Sequence, residues 1–184
     1  TKNAGFACFG SISEIIDDLK NHTEEEVIQL IQKRYAGLQL LRKNLGDEAL
    51  DFKLLGGYEL FLKDDEAFYE QWLQKIPFIN EVIKPLFKTD VFSKEVDRFN
   101  FGNIFEYLIF NPFEAQIDTG NMMQALLKKA HQNDILILNN QTVTDYQETT
   151  ENVEVVTNGI TFKTNKLLFT TNGFASKITN NQVQ

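Results

Sequence analysis

The apolar residues of this chain recur at helical spacing through the first part and alternate as in strands toward the end. That change of period restricts the fold to helices combined with a mostly antiparallel sheet. Two capping-box patterns open the helical part. Ser11-Ile12-Ser13-Glu14 heads an apolar-periodic run and predicts a short helix over residues 12–20. Thr23 to Glu26 repeats the pattern ahead of Val27, Leu30, Ile31, Leu38, Leu41 and Leu45, which predicts the longest helix, ending at Gly46. From Asp64 the period is again helical through Phe68, Trp72, Leu73 and Ile76. Pro77 is expected to start a new turn or kink the chain, with a shorter helix running to about Lys84, before Pro85. Asp118 is a good N-cap for a helix carrying Met122, Met123, Leu126, Leu127 and Ala130.

Strand signals fill the rest. The stretch 51–62 is apolar around Gly56-Gly57 and predicts a strand with a bend or bulge there. Residues 99–117 are aromatic and β-prone and read as two strands. A buried strand is expected at 135–138 and another around Val143. Alternation through Val153 and Val155 leads into Asn158-Gly159, a hairpin signal, with Ile160 and Phe162 on the return strand. Leu167-Leu168-Phe169 reads as one more apolar strand, and the polar tail 176–184 is expected to fray. The class implied is α+β, a mixed, largely antiparallel sheet with flanking helices.

Composition removes several functions. At 184 residues and 42% hydrophobic content the chain can bury a core, as one domain or two small lobes. No apolar run approaches the roughly 20 residues of a membrane helix. Eighteen basic against 26 acidic residues give a net charge of -8, which repels phosphate backbones and argues against a nucleic-acid partner. Cys8 is alone, so no internal disulfide can form, and a reducing, cytoplasmic setting is the default expectation. The chain opens at Thr1 without Met or a leader pattern, as a trimmed piece would.

No pair among the ten glycines has Gly-x-Gly spacing, so neither a dinucleotide fingerprint nor a Walker loop is encoded. His22, His131 and Cys8 lie far apart, and no metal site is expected. The acidic runs at residues 24–26 and 64–66 sit at helix starts, where they complement the helix dipole. The aromatic stripe from Phe99 to Phe113 suits either a ligand cavity or an ordinary core strand. A strand ending in Thr171-Asn172-Gly173 suits either a plain turn or close approach of backbone to a ligand. No catalytic triad is present, and no catalytic residue is assigned.

Three stretches in order carry a family resemblance: Thr1-Lys2-Asn3-Ala4-Gly5, Glu114-Ala115-Gln116-Ile117-Asp118 with its following helix, and the meander ending at Thr171 to Gly173. Together they resemble the FAD-dependent oxidoreductases of the D-amino-acid oxidase and glycine oxidase type, over essentially the whole chain. Ala115 and Thr119 depart from that family's usual Gly and Pro. The resemblance implies an internal piece of a parent enzyme that oxidises the C–N bond of an amino acid or small amine, with FAD bound in the full-length protein. It implies a flavin-proximal loop over 1–10, a substrate-binding lobe over 11–117, part of an FAD-binding lobe over 118–175, and a tail over 176–184. Thr1, Asn3, Ala4 and Gly5 are then expected near the flavin ring or its ribityl chain. Val143 is expected near the adenine, through its backbone, and Thr171, Asn172 and Gly173 near the ribose or pyrophosphate.

Tyr58, Arg98 and Tyr107 are the residues whose phenol or guanidinium could meet a substrate carboxylate or amine, although Arg98 fits a surface residue equally well and either Tyr a core residue with its hydroxyl satisfied. Surface exposed by truncation makes a homodimer an expected partner arrangement. Two competing readings stand beside this one: a non-enzymatic α+β module with an aromatic groove for a peptide or lipid-like ligand, and a stand-alone structural domain.

Overall fold

Both capping boxes form in the computed structural model of the chain, which describes residues 4–171. Ser11 Oγ accepts the Glu14 amide while Glu14 reaches back to the Ser11 amide, and helix α1 (Ile12–Asn21) follows. Thr23 and Glu26 make the same reciprocal pair ahead of α2 (Glu24–Leu45). Helix α2 stops at Gly46, whose φ of 86° a side chain would resist. Arg42 forks onto the Asp47 carboxylate through two 2.7 Å hydrogen bonds and lies 4.0 Å above the Phe52 ring, which holds the turn into α3 (Asp47–Leu50).

A single helix, α4 (Glu66–Phe87), replaces the two expected around Pro77, and both Pro77 and Pro85 lie inside it. An interior proline costs roughly 3 kcal/mol. Here Ile79, Val82 and Ile83 are buried on the same helix, and their packing against α1 and α2 offsets that cost. The main core joins these residues to Phe9, Ile12, Ile15, Ile16, Val27, Ile31, Val91, Phe92 and Ile109. A smaller cluster gathers Ala7, Leu50, Ala115 and Ile117.

The α+β class holds, and the strands of the described residues form three sheets whose named pairings are all antiparallel. β1 (Phe6–Ala7) pairs with β5 (Ala115–Gln116). β2 (Gly57–Glu59), β3 (Ser93–Val96) and β4 (Tyr107–Asn111) form a sheet in the order β2-β4-β3. The third sheet is a meander of β6 (Val143–Glu148), β7 (Val153–Thr157) and β8 (Thr161–Thr164).

Several strand expectations are corrected. In 51–62 the strand is confined to β2, because α3 takes 47–50 and Asp51 turns the chain at a φ of 46°. In 99–117 the two expected strands form, as β4 and β5, but in different sheets. Residues 99–106 stay irregular because the Asp97 carboxylate accepts the Phe99 and Phe101 amides, and Asn100 and Asn103 adopt left-handed backbone. The run 135–138 forms no strand, since Asp134 and Asn140 turn the chain at φ of 55° and 60° on either side. Residues 167–169 likewise lie outside any strand, with Leu168 82% exposed. The hairpin at Asn158-Gly159 does form, but neither residue has a left-handed backbone. Thr157 closes the turn instead, its amide and hydroxyl both bonded to the Ile160 carbonyl.

The chain divides into two units between Asn133 and Asp134. In the first, α5 (Thr119–Gln132), capped by Asp118 on the Asn121 amide, packs against α3 and α2, with Lys129 Nζ on the Asn44 carbonyl. The second contains the meander. No helix among the described residues is long and apolar enough to cross a membrane.

Candidate functional site

Side chains alternate across a strand, so the pairing register assigns each residue of the β2-β4-β3 sheet to a face. Glu59, Lys94, Tyr107 and Ile109 share the face on which Ile109 joins the main core. Tyr58, Glu95 and Phe110 share the other. On that second face the Arg98 guanidinium donates to the Tyr58 hydroxyl at 2.6 Å, and the hydroxyl donates to Glu95 Oε2 at 3.3 Å. Phe110 tilts against the Tyr58 ring at 4.7 Å and Phe99 meets its edge at 5.1 Å, with the Arg98 guanidinium 5.4 Å from the Phe99 ring. The Asp97 turn that broke the expected strand places Arg98 and Phe99 there.

Burial, and then the Glu95 charge, hold the Tyr58 phenol above its ordinary value against the opposing pull of Arg98. The phenol therefore stays protonated and is both donor and acceptor. The site carries one cationic and one anionic end bridged by a hydroxyl, with aromatic walls.

The sheet rests on two glycines. Gly56 has a φ of 76°, and a Cβ there would collide with the Phe110 ring. A Cβ at Gly57 would collide with the Glu114 carboxylate.

Tyr58 and Arg98, both expected as substrate contacts, are thus brought together. Tyr107 is on the opposite face, where Lys94 Nζ lies 3.6 Å over its ring. Glu95, the third polar member, was not singled out from sequence. No local signal marks it, because its partner lies 37 positions away.

Among the residues expected to meet a dinucleotide, Ala4 is exposed and Gly5 is buried, its carbonyl accepting the Ile117 amide at 2.8 Å. A Cβ at Gly5 would stand 2.7 Å from the Ile117 carbonyl oxygen at a φ of 84°, so this close approach needs glycine. Residues 5–7 and 115–117 are therefore paired directly, which joins two of the three stretches behind the resemblance. Val143 is half-buried at the start of β6, beside a register shift, and Thr171 is exposed. Thr1, Asn3, Asn172 and Gly173 lie outside the described residues.

On the core side of the sheet Glu59 Oε2 accepts the Ser13 amide at 3.4 Å, and Glu114 Oε1 accepts from Asn111 at 3.3 Å. Burial pushes both carboxyls above the ordinary glutamate value, and neighbouring acidic charges add to it. Partial desolvation, then Glu114, raises the Cys8 thiol, so this cysteine is not activated as a nucleophile. Among the described residues no cluster of His, Cys, Asp and Glu could hold a metal ion.

The profile of the FAD dependent oxidoreductase family matches residues 2–184. No curated protein matches the chain. Among solved structures, glycine oxidase from Geobacillus kaustophilus is similar over 95% of this chain and 45% of its own, with a TM-score of 0.68 and 14% identity. NikD in its open form, described as an unusual amino acid oxidase essential for nikkomycin biosynthesis, is similar over 83% of this chain and 39% of its own, with a TM-score of 0.55 and 13% identity. The chain spans less than half the length of these structures, and at such identities the likeness establishes the fold.

Proposed function

The chain belongs to the FAD dependent oxidoreductase family, and from that premise we propose that its full-length parent oxidises the C–N bond of an amino acid or small amine. The observation that carries the substrate class is the Arg98–Tyr58–Glu95 relay on one sheet face. A zwitterionic amino acid has a carboxylate and an ammonium a few ångströms apart, and Arg98 and Glu95 offer the complementary pair. Arg98 binds the carboxylate through its remaining N–H donors, Tyr58 orients it, Glu95 faces the ammonium, and Phe99 and Phe110 exclude water. Tyr107, on the other face, has no part in this.

We assign Thr1, Asn3, Ala4 and Gly5 to the flavin ring or ribityl chain, Val143 to the adenine side, and Thr171, Asn172 and Gly173 to the ribose or pyrophosphate. Of the described members, Ala4 and Thr171 are small and exposed, which suits contact through backbone. The 184 residues contain no Gly-x-Gly pair, so the phosphate loop must come from elsewhere in the parent. When bound, FAD supplies the acceptor for the hydride leaving the carbon beside the amine. The same proposal divides the chain into a flavin-proximal loop (1–10), a substrate lobe (11–117) and part of the FAD lobe (118–175), places the enzyme in the cytoplasm, and has the isolated piece pair as a homodimer through surface that the rest of the parent would cover.

The experiment is the visible absorption spectrum of the full-length parent, purified under native conditions, with anaerobic addition of a panel of amino acids and amines. A flavin spectrum bleached by one of them is the expected result. A folded parent that neither contains nor takes up FAD would overturn the reading.

A further inference from the structure

A recess lined by none of the Tyr58, Glu95, Arg98, Phe99 and Phe110 side chains lies in the first unit, between α1, the segment after β2 and the start of α4. Its volume is about 400 Å³. Three aromatic rings form one side. Trp72 stands 5.0 Å from Phe61 and 5.6 Å from Phe68, tilted at 55° and 39°. Phe61 is buried and packs on Tyr69, which stacks flat on Phe105 at 4.1 Å, so the inner ring is held rigidly. Backbone hydrogen bonds from Phe105 to Phe61 and from Lys63 to Asn103 hold the segment in place. The outer part is open to water, with Phe68 53%, Leu62 46% and Leu60 44% exposed. Three large apolar side chains left around one concavity suggest a ligand more than a packing defect.

The polar groups at the recess give the sign of that ligand. Asp17 and Lys20 both line it, but Lys20 Nζ is held by Asp17 at 2.6 Å, so that pair is nearly neutral. Asp65 is the remaining charge, one that also complements the dipole at the start of α4. It is the N-cap of α4 yet makes no capping hydrogen bond, and it enters no ion pair among the described residues. Aromatic faces attract cations through their quadrupole, and a carboxylate beside them adds a Coulomb term of the same sign. We propose that the Phe61–Phe68–Trp72 corner with Asp65 is a binding site for a small organic cation, an alkylated ammonium in particular, separate from the amino-acid site. The apolar walls take the alkyl groups, and the weakly hydrated charge rests between the rings and Asp65.

Trp72 is the chain's only tryptophan, so its fluorescence reports on this recess alone. The experiment titrates the full chain with choline, with the neutral isostere 3,3-dimethylbutanol, and with sodium chloride at matched ionic strength. A saturable change in Trp72 emission with choline, absent with the alcohol and the salt, is expected. Phe68→Ala and Asp65→Asn, both at exposed positions that leave the fold intact, should each weaken the apparent affinity on the order of threefold. An equal response to the alcohol would make the recess merely apolar and overturn the proposal. No response to choline, or undiminished binding by both variants, would overturn it as well.

Discussion

The side chain of Asn80 reads the backbone of Phe92 from both ends. Its Oδ1 accepts the Phe92 amide at 2.8 Å and its Nδ2 donates to the Phe92 carbonyl at 2.8 Å, while the Val91 amide reaches the same Oδ1 at 3.0 Å. Asn80 is buried in the middle of α4, and these bonds fix where the chain leaves that helix to begin β3. Asn80→Ala strips partners from three backbone groups in an apolar surround, and each unsatisfied buried group costs about 1–3 kcal/mol. A loss of about 3 kcal/mol in urea unfolding is expected, with an unchanged m-value. A loss below 0.5 kcal/mol, the scale of an ordinary surface substitution, would show that the site is not rigid.

The position before β2 is as constrained. Gly56→Ala would place a methyl group into the Phe110 ring at a left-handed φ, two independent penalties that together come to about 2–4 kcal/mol. Because Phe110 packs on Tyr58, the same substitution should disturb the Tyr58–Arg98 pair. Thermal unfolding measures the first effect. Near-ultraviolet circular dichroism of the folded variant measures the second, and an aromatic signal like that of the unsubstituted chain would exclude the coupling.

What was legible in the sequence was local. The Ser11 and Thr23 capping boxes and the Asp118 cap are formed by residues three apart, so their letters determine their geometry. Pro77 and Pro85 misled because their cost is local while the burial that offsets it, at Ile79, Val82 and Ile83, is tertiary. The apolar run at 135–138 misled for the converse reason, since a strand needs a partner and turning residues at each end deny it one. At the site, residue chemistry singled out Tyr58 and Arg98, but only the β3–β4 register could add Glu95. The same register puts Tyr107 on the other face, because three positions separate it from Phe110 and an odd offset reverses the face.

Glu59 and Glu114 imply a pH dependence with a definite sign. Burial raises both folded-state values above the ordinary 4.5, so each carboxyl contributes its stability below that value and loses it as pH rises through the folded one. Glu26 and Asp47 act oppositely, since hydrogen bonds from Thr23 and Arg42 lower them and their contribution is lost on acidification. Glu59→Gln keeps an acceptor for Ser13 but removes the titration. Urea midpoints taken from about pH 4 to pH 8 should decline less steeply above the ordinary carboxylate range in Glu59→Gln than in the unsubstituted chain. A parallel pair of curves would mean that Glu59 titrates normally.

The substrate proposal makes a prediction that depends on the substrate's own charge. Arg98 is exposed and belongs to no core cluster, so removing it should leave stability within about 0.5 kcal/mol. Its loss should instead appear in binding. A hydrogen bond to a charged group is worth about 1.5–3 kcal/mol, so Arg98→Ala in the FAD-loaded parent should raise KM for an amino acid about 10- to 100-fold. Lysine should restore little, because a point charge cannot reproduce the forked donor set that meets both the carboxylate and the Tyr58 hydroxyl. Tyr58→Phe, which keeps the ring packing on Phe110 and Phe99 but leaves Arg98 unanchored, should raise KM by a smaller factor. For the matching amine without a carboxylate, Arg98→Ala should leave KM unchanged, since the group it binds is absent. An equal rise for both substrates would mean that Arg98 acts by shaping the pocket, and the carboxylate clamp would have to be sought on another element.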